Sequence, residues 1–214
     1  MLTGKEVSWI LTSYCLGCFT AGYYWVRFRT GLDIRHQGSG TVGARNAGRV
    51  LGATGFLVTF LLDFGKGALV VAGAQFLHLS GPAVVASILA VVLGHTFPIQ
   101  LRFHGGKGIS TSLGAVLAYD IAFDTLTVAV LVSLFLPAFA LIRSFTLGGL
   151  VAFALAPLVV FLWGWGNEAT AVVSFLAIRV LLSHRRNIRE EFARISPGGV
   201  VKNGAVNKHE DTES

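Results

Sequence analysis

Long apolar runs are the feature of this sequence that most limits what it can fold into. They lie near residues 7–26, 51–79, 82–101, 108–119, 122–142, 146–165 and 169–183. A helix needs about 20 apolar residues to cross a bilayer, so the longer runs predict transmembrane helices. Charged residues make up only 13% of the chain, about half the share that a soluble domain carries. The sequence therefore predicts an all-α, polytopic integral membrane bundle of about seven hydrophobic helices.

Two of these runs, 108–119 and 169–183, are short for a full crossing. Seven crossings and five full spans with two short hydrophobic helices are both compatible with them. Either odd number puts the two termini on opposite sides of the membrane. We expect one transmembrane domain over 1–195. The tail 196–214, rich in Gly, Asn, Lys and acids, is expected to be disordered.

The positions of the basic residues predict the orientation of this bundle. One arrangement places four polar segments on the same side: 27–50, 102–108, 143–145 and the chain after 183. That side then holds all of the 17 Lys and Arg residues except Lys5, Lys66 and Arg179. The positive-inside rule makes it the cytoplasmic side of the cell (plasma or inner) membrane, with the N-terminus outside. Because the cations sit at membrane edges, the net charge of +6 does not indicate nucleic-acid binding.

The stretch GHTFPIQLRFHGGKGIS, Gly94 to Ser110, is typical of a phosphate site. Its lysine, Lys107, is surrounded by three glycines: Gly105, Gly106 and Gly108. Such glycines let backbone amides approach a ligand closely, and a helix opening at Ile109 would add its own N-terminal amides. A nucleotide P-loop is excluded, because no Ser or Thr follows the lysine directly. The alternative is that the glycines serve helix packing and Lys107 marks the membrane edge.

A second glycine-rich stretch, Ile34 to Gly52, reads IRHQGSGTVGARNAGRVLG. It contains a formal dinucleotide fingerprint, but no apolar strand precedes it, so that interpretation is weak. We interpret it as a flexible loop that offers amides, the Ser39 hydroxyl and the cations Arg45 and Arg49 to an anion. The alternative is a basic loop beside anionic headgroups.

Several polar residues interrupt or end the apolar runs. Asp63 and Lys66 are three apart, which places them on one helix face and predicts a structural pair facing the bundle interior. His95 is either a packing residue or a site residue. His184 and Asn187, also three apart, would face the same way on a helix.

Together these stretches resemble the bacterial acyl-phosphate-dependent glycerol-3-phosphate acyltransferases, which are integral membrane enzymes. The family pattern GSGNxGATNxxR is matched at Gly38-Ser39-Gly40, Gly43-Ala44, Asn46 and Arg49. The pattern GHxFPxxLxFxGGKGxxT is matched at Gly94-His95, Phe97-Pro98, Leu101, Phe103, Gly105 to Gly108 and Thr111. The Asp63–Gly67 stretch resembles the family segment LDLLKG, and His184–Ile188 resembles HRxNI. The resemblance extends over about residues 5–190.

The resemblance implies transfer of a fatty acyl group from an acyl phosphate to the 1-hydroxyl of glycerol 3-phosphate. The products are lysophosphatidic acid and phosphate, and the lipid bilayer is the medium. It implies no metal, no cofactor, no nucleic acid and no obligate protein partner. Because the chain offers no evident nucleophile with an attending base, direct transfer is favoured over a covalent acyl-enzyme.

Residue roles follow from the matched positions. Catalytic roles are expected for four residues: Ser39, Arg49, Lys107 and His95. Lys107, with the amides of Gly105, Gly106 and Gly108 and help from Ser39 and Gly40, is expected to bind the acyl phosphate. Arg49, His184 and Asn187 are expected to bind glycerol 3-phosphate. The remaining expected binding residues are Gly38, Asn46 and Thr146. The proton acceptor is open among His95, Asp63 and a substrate phosphate.

The chain departs from the family pattern at four positions: Thr41, Arg45, His104 and Gly149. These departures are compatible with an altered acceptor or reduced activity. Two other functions are considered, a phosphate or organic-anion transporter and a catalytically silent paralogue that binds lipid phosphates. The transporter predicts paired polar interruptions in two halves of the chain, and the sequence shows no such repeat.

Overall fold

A computed structural model describes residues 2–123, 126–143, 145–164 and 166–184, with the backbone alone at 123, 145 and 146. All regular secondary structure in these ranges is helical, which confirms the predicted all-α class. The α-helices are α1 (Gly4–Cys18), α2 (Ala21–Thr30), α3 (Ala44–Phe76), α4 (Gly81–Thr96), α5 (Ile109–Phe123), α6 (Thr127–Ile142), α7 (Phe145–Leu162) and α8 (Asn167–Ser183). Short 3-10 turns occupy Ile34–His36 and Ile99–Leu101. Asn187 and the tail 196–214 lie outside the described residues.

The first apolar run forms two helices, where one span at 7–26 was expected, so eight α-helices replace the expected seven in the described ranges. α1 begins at a capping box formed by Thr3 and Glu6, and it ends at Cys18. Side chains from elsewhere in the chain make this break. The Lys66 ammonium donates to the carbonyls of Gly17 and Phe19, and the Gln100 amide donates to that of Cys18. These donors satisfy carbonyls at the end of α1 and at its C-cap, Phe19, which have no intrahelical partner.

α3 has a sharp break at Gly52, whose φ of 68° and ψ of −155° are open in practice only to glycine. A Cβ on Gly55 would overlap the Ala47 carbonyl, so the first two turns of α3 fold back against the rest. The helix begins at Ala44, well before the apolar run expected from residue 51. The early start fixes Arg45 and Arg49 on a helix at the edge of the first glycine-rich loop.

Glycines bring two pairs of helices into backbone contact. At the crossing of α1 and α4, a Cβ on Gly17 would overlap the Val91 carbonyl, and one on Gly94 would overlap the Tyr14 carbonyl. Gly67 of α3 and Gly114 of α5 meet the facing helix in the same way. Small residues of this kind allow the close packing on which helix association in membranes depends.

The outer surface of the bundle is apolar. Two helical stretches, Ala44–Phe76 and Gly81–Leu101, are long and apolar enough to cross a membrane. Ile109–Ala122, Thr127–Ile142 and Leu147–Leu162 are shorter apolar helices. Large side chains are exposed on this surface, among them Phe28, Phe76 and Leu141, whereas polar side chains such as Ser13, Thr59 and Asp63 are buried. Apolar groups outside and polar groups inside are the arrangement that a lipid environment favours.

Candidate functional site

The first glycine-rich loop is folded around the side chain of Asn46. This amide is buried; its Oδ1 accepts from the Ser39 N–H at 2.9 Å. Its Nδ2 donates to the carbonyls of Gln37 and Thr41, each at 2.9 Å, and to that of Ile34 at 3.3 Å. Asn46 therefore positions the loop from within. Direct contact between Asn46 and a substrate stays a prediction. Both the oxygen and the nitrogen of its side-chain amide already form hydrogen bonds with the loop backbone.

The same loop is tied to the stretch Gly94 to Ser110 through Arg35. Its guanidinium forms an ion pair with Asp33 at 2.6 Å, donates to the Leu101 carbonyl at 3.2 Å and lies 5.4 Å from the Tyr23 ring centroid. The hydrogen bond from Arg35 lowers the pKa of Asp33 to about 2. An apolar cluster joins the same segments, since Leu101 packs with Val42. Sequence reasoning missed Arg35, because an Asp-x-Arg spacing in a loop does not indicate what the guanidinium will reach.

The backbone N–H groups of Gly105 and Gly106 were expected to face a phosphate, but they form hydrogen bonds within the protein. The N–H of Gly105 donates to the Thr96 carbonyl at 3.1 Å, and that of Gly106 donates to the His95 carbonyl at 3.0 Å. The expectation that these two amides face a phosphate does not fit this geometry, because both are donated within the protein. They fold the loop back onto the end of α4, and their place in the site stays a prediction.

The N-terminus of α5 supplies amides of a different kind. The first helical hydrogen bond runs from Ser112 N–H to the Gly108 carbonyl at 2.8 Å, and Gly108 has a φ of 84°. The amides that precede this bond, from residue 108 to 111, have no partner within the helix. Lys107 is half-buried directly before them. A cation beside a helix N-terminus is well suited to bind phosphate.

His95 lies beneath this loop in a buried cluster with Lys66 and Asp63. The Lys66 ammonium is 2.9 Å from His95 Nδ1 and 2.9 Å from Asp63 Oδ1, and His95 Nδ1 is 3.5 Å from the same carboxylate oxygen. A Cβ on Gly106 would overlap His95 Nε2. The predicted interior pair of Asp63 and Lys66 is thus confirmed. The structure places His95 as a support under the loop, and its expected catalytic role stays a prediction.

The turn before the glycines is strained. Arg102 and Phe103 are consecutive non-glycine residues with φ of 52° and 62°. Such conformations cost roughly 1–2 kcal/mol per residue. Two hydrogen bonds hold the turn, from Phe103 N–H to the Pro98 carbonyl and from His104 N–H to the Leu101 carbonyl. Strain of this kind is common at ligand sites.

His184, the residue that ends α8, is buried at the same end of the bundle. Its Nδ1 is 2.9 Å from the Val180 carbonyl, so Nδ1 carries the proton in this bond, because a carbonyl can only accept. Burial lowers the pKa of His184 below its ordinary value, although the bond to the Val180 carbonyl opposes this shift. The positive charges of Lys107 and Arg45 lower the same pKa further. Nε2 of the neutral ring is then a hydrogen-bond acceptor within the electrostatic influence of both cations.

The structure therefore brings part of the predicted site together. The positive charges of Arg45, at the start of α3, and of Lys107, in the second glycine-rich stretch, both act on His184 at the end of α8, where they lower its pKa. The side chain of Arg49, which is exposed, lies along the first loop, since a Cβ on Gly38 would be 3.5 Å from Arg49 Cδ.

The remaining predicted residues fall around this centre. Gly38 and Gly40 have φ of 53° and 71°, and the Gly40 N–H donates to the Gln37 backbone carbonyl at 2.9 Å. The Ser39 hydroxyl is 3.1 Å from that of Thr41. Thr146 lies in the first turn of α7, and its side chain is outside the described part of the chain, as is Asn187.

An all-helical bundle with an apolar exterior, whose glycine loops and cations gather at one end, defines a membrane protein that handles phosphate compounds. The sequence profile described as "Glycerol-3-phosphate acyltransferase" matches residues 7–194. This protein belongs to that family.

Two relatives and two solved structures illustrate the similarity. A glycerol-3-phosphate acyltransferase 1 of Desulfitobacterium hafniense is 43% identical over 181 residues, which cover 85% of this chain and 88% of the relative. One of Bacillus cereus is 37% identical over 185 residues, which cover 86% of this chain and all of the relative. The crystal structure of PlsY (YgiH), an integral membrane glycerol 3-phosphate acyltransferase, in its glycerol 3-phosphate form has a TM-score of 0.75 and 30% identity, over 88% of this chain and 92% of that one. Its lysophosphatidic acid form has a TM-score of 0.72 and 28% identity with the same coverage.

Proposed function

We propose that this protein is a glycerol-3-phosphate acyltransferase that takes its acyl group from an acyl phosphate, at the cytoplasmic face of the cell membrane. The observation that carries the proposal is the position of Lys107 directly before the N-terminal amides of α5, at the end of the bundle where His184 ends α8. The charges of Lys107 and Arg45 both lower the pKa of His184. Two phosphorylated substrates need several fixed cations, and one of them also needs a hydrogen-bond acceptor for its hydroxyl. Membership of the family supports the acceptor and the reaction.

The donor is assigned to the glycine-rich loop. Lys107 and the amides at the N-terminus of α5 bind its phosphate, where they stabilise the negative charge that grows on the leaving group. Gly105 and Gly106 keep the loop closed on α4 so that Lys107 stays in place. The acyl chain remains among apolar helices, because it has no reason to leave the bilayer.

The acceptor is assigned to the first loop and to His184. Arg49 binds the phosphate of glycerol 3-phosphate, and His184 Nε2 accepts a hydrogen bond from the 1-hydroxyl. That oxygen attacks the acyl carbon, the new ester bond forms, and the bond from the acyl carbon to the phosphate oxygen breaks. The hydroxyl proton passes to His184 or to the departing phosphate, and inorganic phosphate leaves.

A direct assay tests this proposal. Purified protein is mixed with palmitoyl phosphate and glycerol 3-phosphate, and both phosphate release and lysophosphatidic acid are followed. Palmitoyl coenzyme A in place of palmitoyl phosphate should give no product. Turnover with the thioester would overturn the donor assignment. Uptake of labelled phosphate into vesicles without lysolipid would indicate a transporter, and binding without either would indicate a silent paralogue.

Arg49→Ala is expected to raise the KM for glycerol 3-phosphate about 10-fold to 100-fold, the loss of one charge-assisted contact with phosphate. The KM for palmitoyl phosphate should stay within about twofold and serves as the internal control. Arg49→Lys should recover only part of the loss, because an ammonium does not reproduce a bidentate guanidinium. An Arg49→Ala enzyme with unchanged KM for glycerol 3-phosphate would remove Arg49 from the site.

The activity should also depend on the protonation of His184. Because the pKa of His184 lies below its ordinary value of 6.5, the ring stays neutral above that range, and kcat/KM should fall as the pH drops through the lowered pKa. Arg45→Gln removes one of the charges that lower this pKa, so the acid limb should move to higher pH. A pH–rate profile that is the same in wild type and Arg45→Gln would contradict the assignment of His184 as the acceptor.

A further inference from the structure

Arg179 is a cation of α8 that the mechanism above does not use. Its guanidinium carbon lies 5.0 Å from the centroid of the Phe97 ring. Its Nε is buried without a hydrogen-bond partner, and no carboxylate in the described part of the chain forms an ion pair with it. A charged side chain within an apolar helix is costly in a membrane and usually has a functional partner. The unused donor at Nε indicates that Arg179 can still bind an anion.

Arg179 borders the site on one side. It precedes His184 by five residues, about 7.5 Å along the helix axis. Phe97, the ring under its guanidinium, caps the end of α4 directly after Thr96, and the Thr96 carbonyl holds the Gly105 amide. The cation therefore lies where α4 and α8 pack together, next to the support of the Lys107 loop.

On its other side Arg179 borders the lipid-facing surface. Its neighbours on α8, Ile178 and Leu182, are 57% and 56% exposed, and Phe97 is 40% exposed. An anion that reaches the guanidinium from this surface must have its hydrocarbon part in the bilayer. A phosphate on a single long acyl chain has this chemistry, whether it is an acyl phosphate or lysophosphatidic acid.

We propose that Arg179 binds the phosphate of such a single-chain amphiphile as it passes between the bilayer and the site at the junction of α4 and α8. This inference rests on the proposed function for the identity of the amphiphile. Phe97 holds the guanidinium against the junction through a cation–π contact. Arg179 then acts on the donor before Lys107 does, and it does not contact glycerol 3-phosphate.

The test compares kinetic constants for the two substrates in Arg179→Gln. The KM for palmitoyl phosphate should rise about tenfold, the loss of one charge-assisted hydrogen bond, with kcat and the KM for glycerol 3-phosphate within about twofold. Arg179→Lys should recover part of the effect because it keeps the charge. Arg29→Gln is the matched control, since Arg29 also packs on an aromatic ring, that of Trp25 at 5.5 Å, but in α2.

Two further arms separate the sources of the phosphate. Lysophosphatidic acid should inhibit the wild type more strongly than Arg179→Gln, because product and donor share the cation. Acetyl phosphate, which is water-soluble and has no long chain, should be used equally by both if the junction serves only bilayer-borne donors. The inference is overturned by an unchanged KM for palmitoyl phosphate, by a raised KM for glycerol 3-phosphate instead, or by an equal effect in Arg29→Gln.

A binding measurement keeps the inference separate from the proposed function. Lysophosphatidic acid should raise the unfolding temperature of the detergent-solubilised wild type. For an equal rise, Arg179→Gln should require a concentration of lysophosphatidic acid about ten times higher. Failure of the wild type to turn over palmitoyl phosphate would contradict the proposed function alone. Equal binding of lysophosphatidic acid by both proteins would contradict the role of Arg179.

Discussion

Lys107→Ala is expected to lower kcat for phosphate release by on the order of 10²- to 10³-fold, the usual effect of removing one preorganised group from developing negative charge. Lys107 is half-buried before the N-terminus of α5, where we propose that the cation and the amides act on the same phosphate. Lys107→Arg should restore little, because a planar guanidinium does not reproduce the compact point charge of an ammonium. Release of inorganic phosphate from palmitoyl phosphate measures the effect.

A second readout separates a role at the site from loss of folding. The charge of Lys107 lowers the pKa of His184, so the residual activity of Lys107→Ala should show its acid limb at higher pH than the wild type. Lys5→Ala is the control, because Lys5 donates to the Leu77 carbonyl at the opposite end of the bundle. Undiminished turnover in Lys107→Ala, with an unchanged pH profile, would remove Lys107 from the catalytic centre.

Asp63→Ala is expected to reduce the free energy of unfolding by about 3–5 kcal/mol, since it leaves the buried Lys66 ammonium without its carboxylate. Asp63 and Lys66 are both buried and 2.9 Å apart. The same carboxylate accepts from Ala21 N–H at 3.4 Å, where α2 begins. Loss of Asp63 therefore weakens both the ion pair and the start of that helix. Chemical unfolding in detergent, followed by tryptophan fluorescence, measures the change.

Two comparison variants make this prediction specific. Asp33→Asn breaks an ion pair whose side chains are partly exposed, and it should reduce stability by only about 1 kcal/mol or less. The double variant Asp63→Leu, Lys66→Met should be more stable than Asp63→Ala, because it leaves no unpaired charge. It should not reach wild type, since Lys66 also satisfies the carbonyls of Gly17 and Phe19. Equal stability of Asp63→Ala and Asp33→Asn would contradict the importance of the buried pair.

The sequence was sufficient to predict those parts of the fold and site that depend on local pattern. Apolar length predicted the helices, and the spacing of Asp63 and Lys66 predicted their pairing. The break between α1 and α2 could not be predicted, because the apolar run is continuous there and the groups that end α1, Lys66 and Gln100, come from distant segments. Gly52 likewise looks like one glycine among many until its φ is known.

For the site as well, local pattern could be interpreted from the sequence, whereas contacts between distant segments could not. Composition and spacing predicted that the glycine loops and Lys107 bind an anion, and this stays a prediction. They did not show that the amides of Gly105 and Gly106 are donated to α4, because hydrogen-bond partners depend on how the loop folds back. Arg179 was placed only within an apolar run, since its significance depends on the contact with Phe97 from another helix. Long-range contacts thus decide which polar groups remain available to a ligand.

The buried cluster also has a consequence for biogenesis. Asp63 and Lys66 belong to one helix, so their charges can pair within that segment and need no partner from a later part of the chain. The segment can then leave the translocon for the lipid phase without an exposed net charge. His95 contacts this pair only after α4 has packed against α3. The charged pair in the interior of this enzyme can therefore form within one helix before the other helices pack around it.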